Sequence, residues 1–133
     1  MKFQINIEYK NNPFYSACKM NGQAMGMATP FVLQNTGLFD IVYKENGKPS
    51  VVDKNNKTYQ THHSKGNKFF INPSYQKGFG RQFQKQQAHA HICSSDFHLF
   101  TNLKDDVLHC VVIPTYEVLA LVDKESGEVC VEF

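Results

Sequence analysis

The sequence predicts a single α+β domain spanning residues 1–133, with a mostly antiparallel sheet, a main helix at about residues 75–94 and a second helix near the N-terminus. Three observations lead to this fold class. The chain length suits one hydrophobic core, because two cores of half the size would each be marginal. The composition, 41% hydrophobic and 13% aromatic, is that of a globular protein. Short alternating runs between Asn, Gly and Pro residues indicate several strands.

The first elements are a strand and a helix. Phe3, Ile5 and Ile7 alternate with polar residues, as in a half-buried strand. Two glycines within residues 14–27 disfavour a helix, but the apolar residues of this run recur with a loose helical periodicity. We therefore expect a strand followed by a helix in the first part of the chain.

A β-hairpin is the clearest local unit. Two β-prone runs, residues 38–44 and 48–54, are joined through Asn46-Gly47, and Asn-Gly is the strongest sequence signal for a tight hairpin. Residues 55–67 are polar and are expected to form a long, basic, mobile loop. Residues 68–72 indicate another short strand.

The C-terminal half is predicted to contain the main helix and further antiparallel strands. Ser74 is a suitable N-cap for this helix, on which basic side chains recur every four residues. The strand segments that follow are residues 97–101, 107–113, 117–123 and 128–133. As an alternative to the third of these strands, Thr115 could cap a short helix after Pro114.

Positive charge is concentrated in the middle of the chain. The net charge is +2, but residues 54–95 carry +7 without one acidic residue, whereas residues 96–133 carry −6. Basic groups neutralise phosphates, and the aromatic rings and amides of the same stretch can stack on bases or hydrogen-bond to them. DNA or RNA is therefore an expected partner, with candidate contacts at Lys57, Lys65, Lys68, Lys77, Arg81, Lys85 and His89.

The charge pattern has two other interpretations. The basic stretch could pack beside the acidic C-terminal third of its own fold. It could also meet a protein, in which case the chain is a small non-enzymatic interaction or inhibitor protein, for example phage- or mobile-element-borne, that binds a larger nucleic-acid machine. Charge asymmetry indicates a partner without identifying it, and the sequence does not indicate an oligomeric state.

Two aspartates near the hairpin are candidates for catalysis. A two-residue loop at Asn46-Gly47 would place Asp40 directly opposite Asp53 on one face. Paired carboxylates can share a divalent cation, and Lys54 lies beside them. Asp40 and Asp53 are thus candidate Mg²⁺ ligands for phosphodiester cleavage, with Lys54 steadying the developing charge. The alternative is two solvated acids at the open end of a hairpin.

The order of the predicted elements resembles the PD-(D/E)xK nuclease-like core over about residues 13–122. The features that carry the resemblance are a strand with Asp40, a hairpin to Asp53, a short strand, a helix with Gln82, Gln86 and Gln87, and strands ending in VVIP. In that family an Asp and a downstream acid-x-Lys motif bind Mg²⁺ and cleave phosphodiesters, so the resemblance implies a role for Asp40. Here Asp53-Lys54-Asn55 stands in place of that motif, which also fits a relative that binds without cleaving.

Histidines offer a rival site. If residues 89–93 were extended, His89, His91 and Cys93 would line one face and could bind zinc. The glutamine-rich context favours a helix instead, in which only the first and last of the three share a face, so zinc is less favoured than Mg²⁺. His62-His63 could act as a general acid or base in an RNase-type reaction, although a solvated loop position is the simpler interpretation.

The sequence carries no visible export or membrane signal. Its longest apolar run, residues 111–113, is far below the roughly 20 residues of a transmembrane helix. Residues 1–10 lack the apolar run of a secretory signal. The four cysteines include no CxxC pair and are expected to be reduced and mostly buried. A cytoplasmic protein without a membrane partner is therefore expected, and the sequence leaves open whether it is an enzyme.

Overall fold

The computed structural model describes residues 1–7, 22–43, 45, 47, 49–71 and 90–133. Two helices have defined bounds in this part of the chain, α1 (Gly22–Asn35) and α2 (Thr115–Leu121). The strands are β1 (Lys2–Asn6), β2 (Asp40–Tyr43), β3 (Pro49–Val52), β4 (Thr58–Ser64), β5 (Lys68–Phe70), β6 (Phe97–Lys104), β7 (Val107–Pro114) and β8 (Glu128–Cys130). Residues 90–92 are also helical, where the predicted main helix approaches its end, and residues 75–89 of that prediction lie outside the described residues.

The described strands form two sheets. The large sheet has the order β1-β7-β6-β4-β3-β2, and the small one pairs β5 with β8. Strands β4 and β6 run parallel, while the other pairs of the described sheets are antiparallel. The predicted α+β fold with a mostly antiparallel sheet is therefore confirmed.

Both faces of the large sheet carry an apolar core. On one face, α1 packs over β2, β3 and β4, and its Met25 and Leu33 join Leu99 in the first core. On the other face, β5, β8 and α2 surround Phe100 and Val111 in the second core. Burying each such side chain contributes about 1.5–3 kcal/mol, so two filled faces hold the sheet between them.

Helix α1 follows from an apolar stripe at helical spacing. Its core-facing residues include Met25, Ala28, Val32 and Leu33. The chain leaves the helix at Gly37, whose φ of +77° is the left-handed conformation that glycine favours after a helix. Its N–H donates to the Gln34 carbonyl at 3.1 Å. The helix thus runs further towards the C-terminus than predicted, and residues 14–21 of that prediction lie outside the described part of the chain.

Strand β4 replaces the mobile loop predicted for residues 55–67. It lies inside the large sheet, between β3 and β6. Tyr59 stacks on Phe97 on one face, and His62 stacks on Phe100 on the other. Because both faces of the strand are covered, polar and apolar residues do not alternate along it, and the usual strand signal is missing. The loop prediction is wrong for this reason.

The β2–β3 hairpin differs from the prediction by one residue in register. Asp40 pairs with Val52, which leaves Asp53 one position further along. Successive side chains of a strand point to opposite faces of the sheet. A one-residue shift in register therefore moves the side chains of one strand to the other face relative to its neighbour. The predicted pairing of Asp40 with Asp53 on a common face is therefore wrong. Residues 44, 46 and 48 of the connecting loop lie outside the described residues.

The C-terminal segments also depart from the predicted strands. Residues 115–121 form α2, which confirms the alternative helix. Pro114 stands at its N-cap, and the Thr115 hydroxyl donates to the Ser95 carbonyl at 2.6 Å rather than capping the helix. Strand β8 pairs with β5 instead of folding back on the preceding segment.

Two further sequence expectations concern thiols and membranes. Cys110 is buried as expected, but Cys93 and Cys130 are exposed, and these three cysteines form no disulfide with one another. Cys18 lies outside the described residues. Among the helices of the described part, none is long and apolar enough to cross a membrane.

Candidate nucleic-acid interface

A row of polar side chains crosses four neighbouring strands of the large sheet. The strand register pairs Gln4 with His109, His109 with Asn102, and Asn102 with Ser64. Directly paired residues share a face, so the four side chains form one row. At the usual strand spacing of about 4.8 Å, this polar row is about 14 Å long. It lies on the face of the second core, beside the line that contains Val111 and Phe100.

Three lysines surround the polar row. Lys2 precedes Gln4 by two residues on β1, and Lys104 follows Asn102 by two residues on β6, so both share the face of the row. Lys65 follows Ser64 at the end of β4. Within the described part of the chain, none of the three ammonium groups takes part in an ion pair or hydrogen bond. Within the described residues, the charged side chains of this face are therefore all cationic.

The lysines and the polar row line two adjacent grooves of about 390 Å³ each. The first groove lies along β1 and β7 and includes Lys2 and Gln4. The second lies between the β4–β5 connection and β6 and includes Lys65 and Lys104. Among their described lining residues there is no carboxylate side chain. We call the two together the cationic groove.

His109 and Phe133 join the two halves of the cationic groove, because both residues line both concavities. Phe133 is 36% exposed as a residue, and its ring centroid lies 5.9 Å from that of Phe69 in the second core. One part of this aromatic side chain is thus held by the core while another part faces the groove.

Amide groups supply the hydrogen-bonding capacity of the cationic groove. The Asn102 amide nitrogen donates to the Gly66 carbonyl at 3.0 Å, which fixes the amide and leaves its oxygen as an acceptor. The side chains of Gln4 and Asn67 have no hydrogen-bond partner within the described residues. Donors and acceptors are therefore both available along the groove.

The lysines predicted to contact nucleic acid do not form one surface in the described part of the chain. Lys54 and Lys57 lie in the turn before β4, whereas Lys65 and Lys68 follow its other end. The seven residues of β4 separate the two pairs by about 20 Å. Lys65 lines the cationic groove, and Lys68 is exposed on β5. The predicted contacts Lys77, Arg81, Lys85 and His89 lie outside the described residues.

Asp53 holds the turn between β3 and β4. Its Oδ1 accepts hydrogen bonds from the backbone N–H groups of Asn55 at 2.8 Å and Lys57 at 3.0 Å, and its Oδ2 accepts one from the Tyr59 hydroxyl at 2.8 Å. Desolvation alone would raise the pKa of Asp53, but these hydrogen bonds outweigh it and lower the pKa. Burial of the Tyr59 hydroxyl, together with its hydrogen bond to Asp53, raises the pKa of Tyr59 to about 12. Both carboxylate oxygens are thus engaged within the protein.

The candidate catalytic residues are not brought together as a metal site. Asp40 is exposed at the start of β2 and pairs with Val52, and Lys54 is exposed in the turn after β3. No group of three or more metal-ligating side chains is found among the described residues, which include His91, Cys93 and His98. His89, the remaining residue of the predicted zinc edge, lies outside them.

His62 and His98 form a hydrogen-bonded pair on β4 and β6. His98 Nε2 lies 2.9 Å from the Ile92 carbonyl, which can only accept, so this nitrogen carries the proton. His98 Nδ1 is then an acceptor, and His62 Nε2, at 2.9 Å, donates to it. Burial lowers the pKa of His98, against the opposing effect of its hydrogen bond to the Ile92 carbonyl. Burial, and then the neighbouring imidazoles, lower the pKa of His62 to about 3. The pair is therefore neutral at pH 7, and His62 does not lie in a solvated loop.

His63 points to the opposite face of β4. The Thr101 hydroxyl donates to the His62 carbonyl at 3.2 Å, so it accepts from His63 Nδ1 at 2.9 Å. Burial, and then the charge of Lys65, lower the pKa of His63. The two adjacent histidines thus serve different cores and do not act as one general acid–base pair.

The sequence does not predict the cationic groove, because its residues come from distant segments. Lys2, Gln4 and Phe133 lie outside the basic stretch of residues 54–95. One usable signal was present in the Asp105-Asp106 turn between β6 and β7. Both residues have positive φ, 53° and 61°, as in a tight hairpin turn, and that turn fixes the pairing of the strands.

Comparison with protein families, with curated proteins and with solved structures finds no match for this chain. The resemblance to the PD-(D/E)xK core stays a prediction that rests on element order and Asp40. A functional assignment therefore depends on the chemistry of the grooves and the charges around them.

Proposed function

We propose that this protein binds nucleic acid through the cationic groove. The observation that carries the proposal is the polar row between Lys2, Lys65 and Lys104, with no Asp or Glu side chain among the described lining residues and with Phe133 beside it. Lysines without partners among the described residues can neutralise phosphates, and amides and aromatic rings contact bases. This combination is typical of a nucleic-acid-binding surface.

The proposal is for binding, because the carboxylates expected to hold Mg²⁺ have other surroundings. Asp53 accepts three hydrogen bonds from its own turn, and Asp40 belongs to a different register position. A metal at Asp53 would have to displace these donors. The sequence predicted nucleic-acid binding and possible cleavage. The described residues support the proposal of binding and do not add support for cleavage.

A pair of matched double variants tests the proposal. Lys65→Gln with Lys104→Gln removes two charges from the groove, while Lys54→Gln with Lys57→Gln removes two charges from the other end of β4. Binding of a fluorescent oligonucleotide is measured by anisotropy between 50 and 200 mM salt. We expect the groove variant alone to bind weakly, with a slope of log Kd against log salt reduced by about 1.4–1.8, the value for two lost phosphate contacts.

The control variant, Lys54→Gln with Lys57→Gln, shows whether any weakening is specific to the cationic groove. Equal weakening by both double variants would indicate attraction by net charge alone and would contradict binding at the cationic groove. Absence of salt-dependent binding in the wild-type protein would remove the proposal altogether.

A second candidate function, protein binding, is favoured by apolar side chains around β2. Leu38, Val42 and Tyr43 are 57%, 54% and 62% exposed. Strand β2 is also the last strand of the large sheet in the described part of the chain. A terminal strand with exposed apolar side chains can pair with a strand of another protein. This surface would suit the non-enzymatic interaction protein considered above.

Site-specific photocrosslinking tests the second candidate. A crosslinking residue replaces Tyr43 or, as the control, Tyr116, which is 72% exposed on α2. A stoichiometric protein adduct from position 43 but not from position 116 is expected if β2 is an interface. Equal adducts from both positions would contradict it.

A further inference from the structure

We propose that the cationic groove takes single-stranded rather than double-stranded nucleic acid, with a base stacked on Phe133. This inference rests on the proposed function and specifies the ligand of the same site. It is carried by the shape of the groove, its free amides and the position of the aromatic ring.

The shape of the site favours an unpaired strand. The cationic groove consists of two concavities of about 390 Å³, which meet at His109 and Phe133. A duplex keeps its bases stacked inside and would offer only its phosphates to such concavities. A single strand can turn a base into each of them while its backbone follows the lysines.

The polar side chains of the groove suit base edges better than phosphates. Gln4 and Asn67 present amides without partners in the described chain, and Asn102 presents an amide oxygen. An amide oxygen repels a phosphate but accepts from the amino group of a base. In a duplex the amino groups keep one free N–H, but it lies inside a groove that a concave surface does not enter, so the acceptors along the row suit unpaired bases.

Phe133 is placed to stack on a base. Its ring contacts Phe69 with an angle of 45° between the planes, so the second core holds it without covering it. Lys2 lines the groove on one side of the ring, and Lys65 and Lys104 line it on the other. A base on the ring would therefore have cationic groups on both sides for its flanking phosphates.

The test compares ligands of equal length on wild-type protein and two phenylalanine variants. The probes are single-stranded DNA, single-stranded RNA, an abasic single strand and a duplex. Phe133→Leu removes the ring of the groove. Phe70→Leu is the control, because Phe70 is a residue of β5 that is 45% exposed and lines neither half of the groove. Anisotropy gives the Kd of each pair at constant salt.

We expect Phe133→Leu to weaken single-strand binding about tenfold, the loss of one stacked base, and to leave duplex binding unchanged. Phe70→Leu should bind like the wild type, and Phe133→Tyr should retain most of the affinity because it keeps a ring. The abasic strand should bind the wild type about as weakly as the normal strand binds Phe133→Leu. The DNA and RNA arms identify which single strand is preferred.

Two outcomes overturn the inference. If duplex and single strand bind equally, or if the abasic strand binds as tightly as the normal one, no base is stacked, while the proposed binding function still stands. If no probe binds at all, the proposed function fails together with the inference. The abasic comparison uses the unmodified protein, so it decides the question even if a variant folds poorly.

Discussion

Asp53 illustrates how a single carboxylate can serve the fold. Its two oxygens accept three hydrogen bonds that fix the turn from β3 into β4, and β4 lies inside the large sheet. Asp96 supports the same end of β4, since its Oδ2 accepts from the Thr58 N–H at 2.9 Å. Asp53, a predicted Mg²⁺ ligand, and Asp96 therefore both hold one end of a strand.

The first prediction concerns the stability of Asp53 variants. Asp53→Ala should lower the free energy of unfolding by about 2 kcal/mol, because hydrogen bonds to a charged acceptor contribute about 1.5–3 kcal/mol and the turn donors lose theirs. Asp40→Ala, an exposed position without such contacts, should change it by less than about 0.5 kcal/mol. Urea denaturation measures both. A smaller effect at Asp53 than at Asp40 would contradict the structural role.

The second prediction follows from the neutral His62–His98 pair. An unfolded histidine has a pKa near 6.5, but folding lowers that of His62 to about 3. Between these values the unfolded chain binds more protons, so stability is complete above about pH 6.5 and falls as the pH is lowered. His62 alone should lower the free energy of unfolding by about 1.4 kcal/mol from pH 7.5 to 5.5, with His98 acting in the same direction.

Denaturation curves at the two pH values check this expectation. Carboxylates with lowered pKa values, such as Asp53 and Asp123, titrate below this window and do not obscure it. His62→Gln keeps an N–H donor for His98 without titrating, and its stability should depend less on pH. An unchanged wild-type stability between pH 7.5 and 5.5 would show that the pair is not held neutral.

At the level of elements, the sequence predicts hairpins whose turn residues are recognisable locally. It does not predict strands that depend on packing against distant parts of the chain. The predicted strands at residues 97–101 and 107–113 correspond to β6 and β7, whose pairing is fixed by the two-residue turn between them. Strand β4 was read as a loop because its covering residues come from distant parts of the chain. The Asn46-Gly47 signal identified a hairpin but gave the wrong register.

The third prediction concerns the contact between α1 and β4. A Cβ added at Gly26 would lie 3.4 Å from the His63 Cβ, the short limit of an ordinary van der Waals contact. Gly26→Ala should therefore keep the packing and stabilise the helix by about 0.5–1 kcal/mol, through the lower entropy of the unfolded chain. Gly26→Leu should destabilise the protein, because a longer side chain would push α1 away from β4. Thermal denaturation of the two variants gives the sign of each effect.

Gly37→Ala is the matched control for Gly26→Ala. The site has open space around it, but its φ of +77° disfavours any side chain. We expect a loss of about 1 kcal/mol there, opposite in sign to the effect at Gly26. A loss of stability in both alanine variants would indicate that α1 lies closer to the sheet than described.

For the whole molecule, topology decides where charge is available. The basic stretch of residues 54–95 suggested one cationic surface, but β4 carries its described lysines to opposite ends of the sheet. The cationic groove instead combines Lys65 with Lys2 and Lys104, which come from the two flanking thirds of the chain. The distribution of charge along the sequence therefore suggests nucleic acid as the partner to test, but it does not locate the cationic groove.

The most direct test of the account is a map of the binding surface in solution. ¹⁵N-labelled protein is titrated with a short single-stranded oligonucleotide, and amide shifts are followed by NMR. We predict that the shifts cluster at residues 2–4, 65–67, 102–104 and 109, while the turn at residues 53–57 is unaffected. Shifts centred on that turn, or spread evenly over all exposed lysines, would contradict binding at the cationic groove.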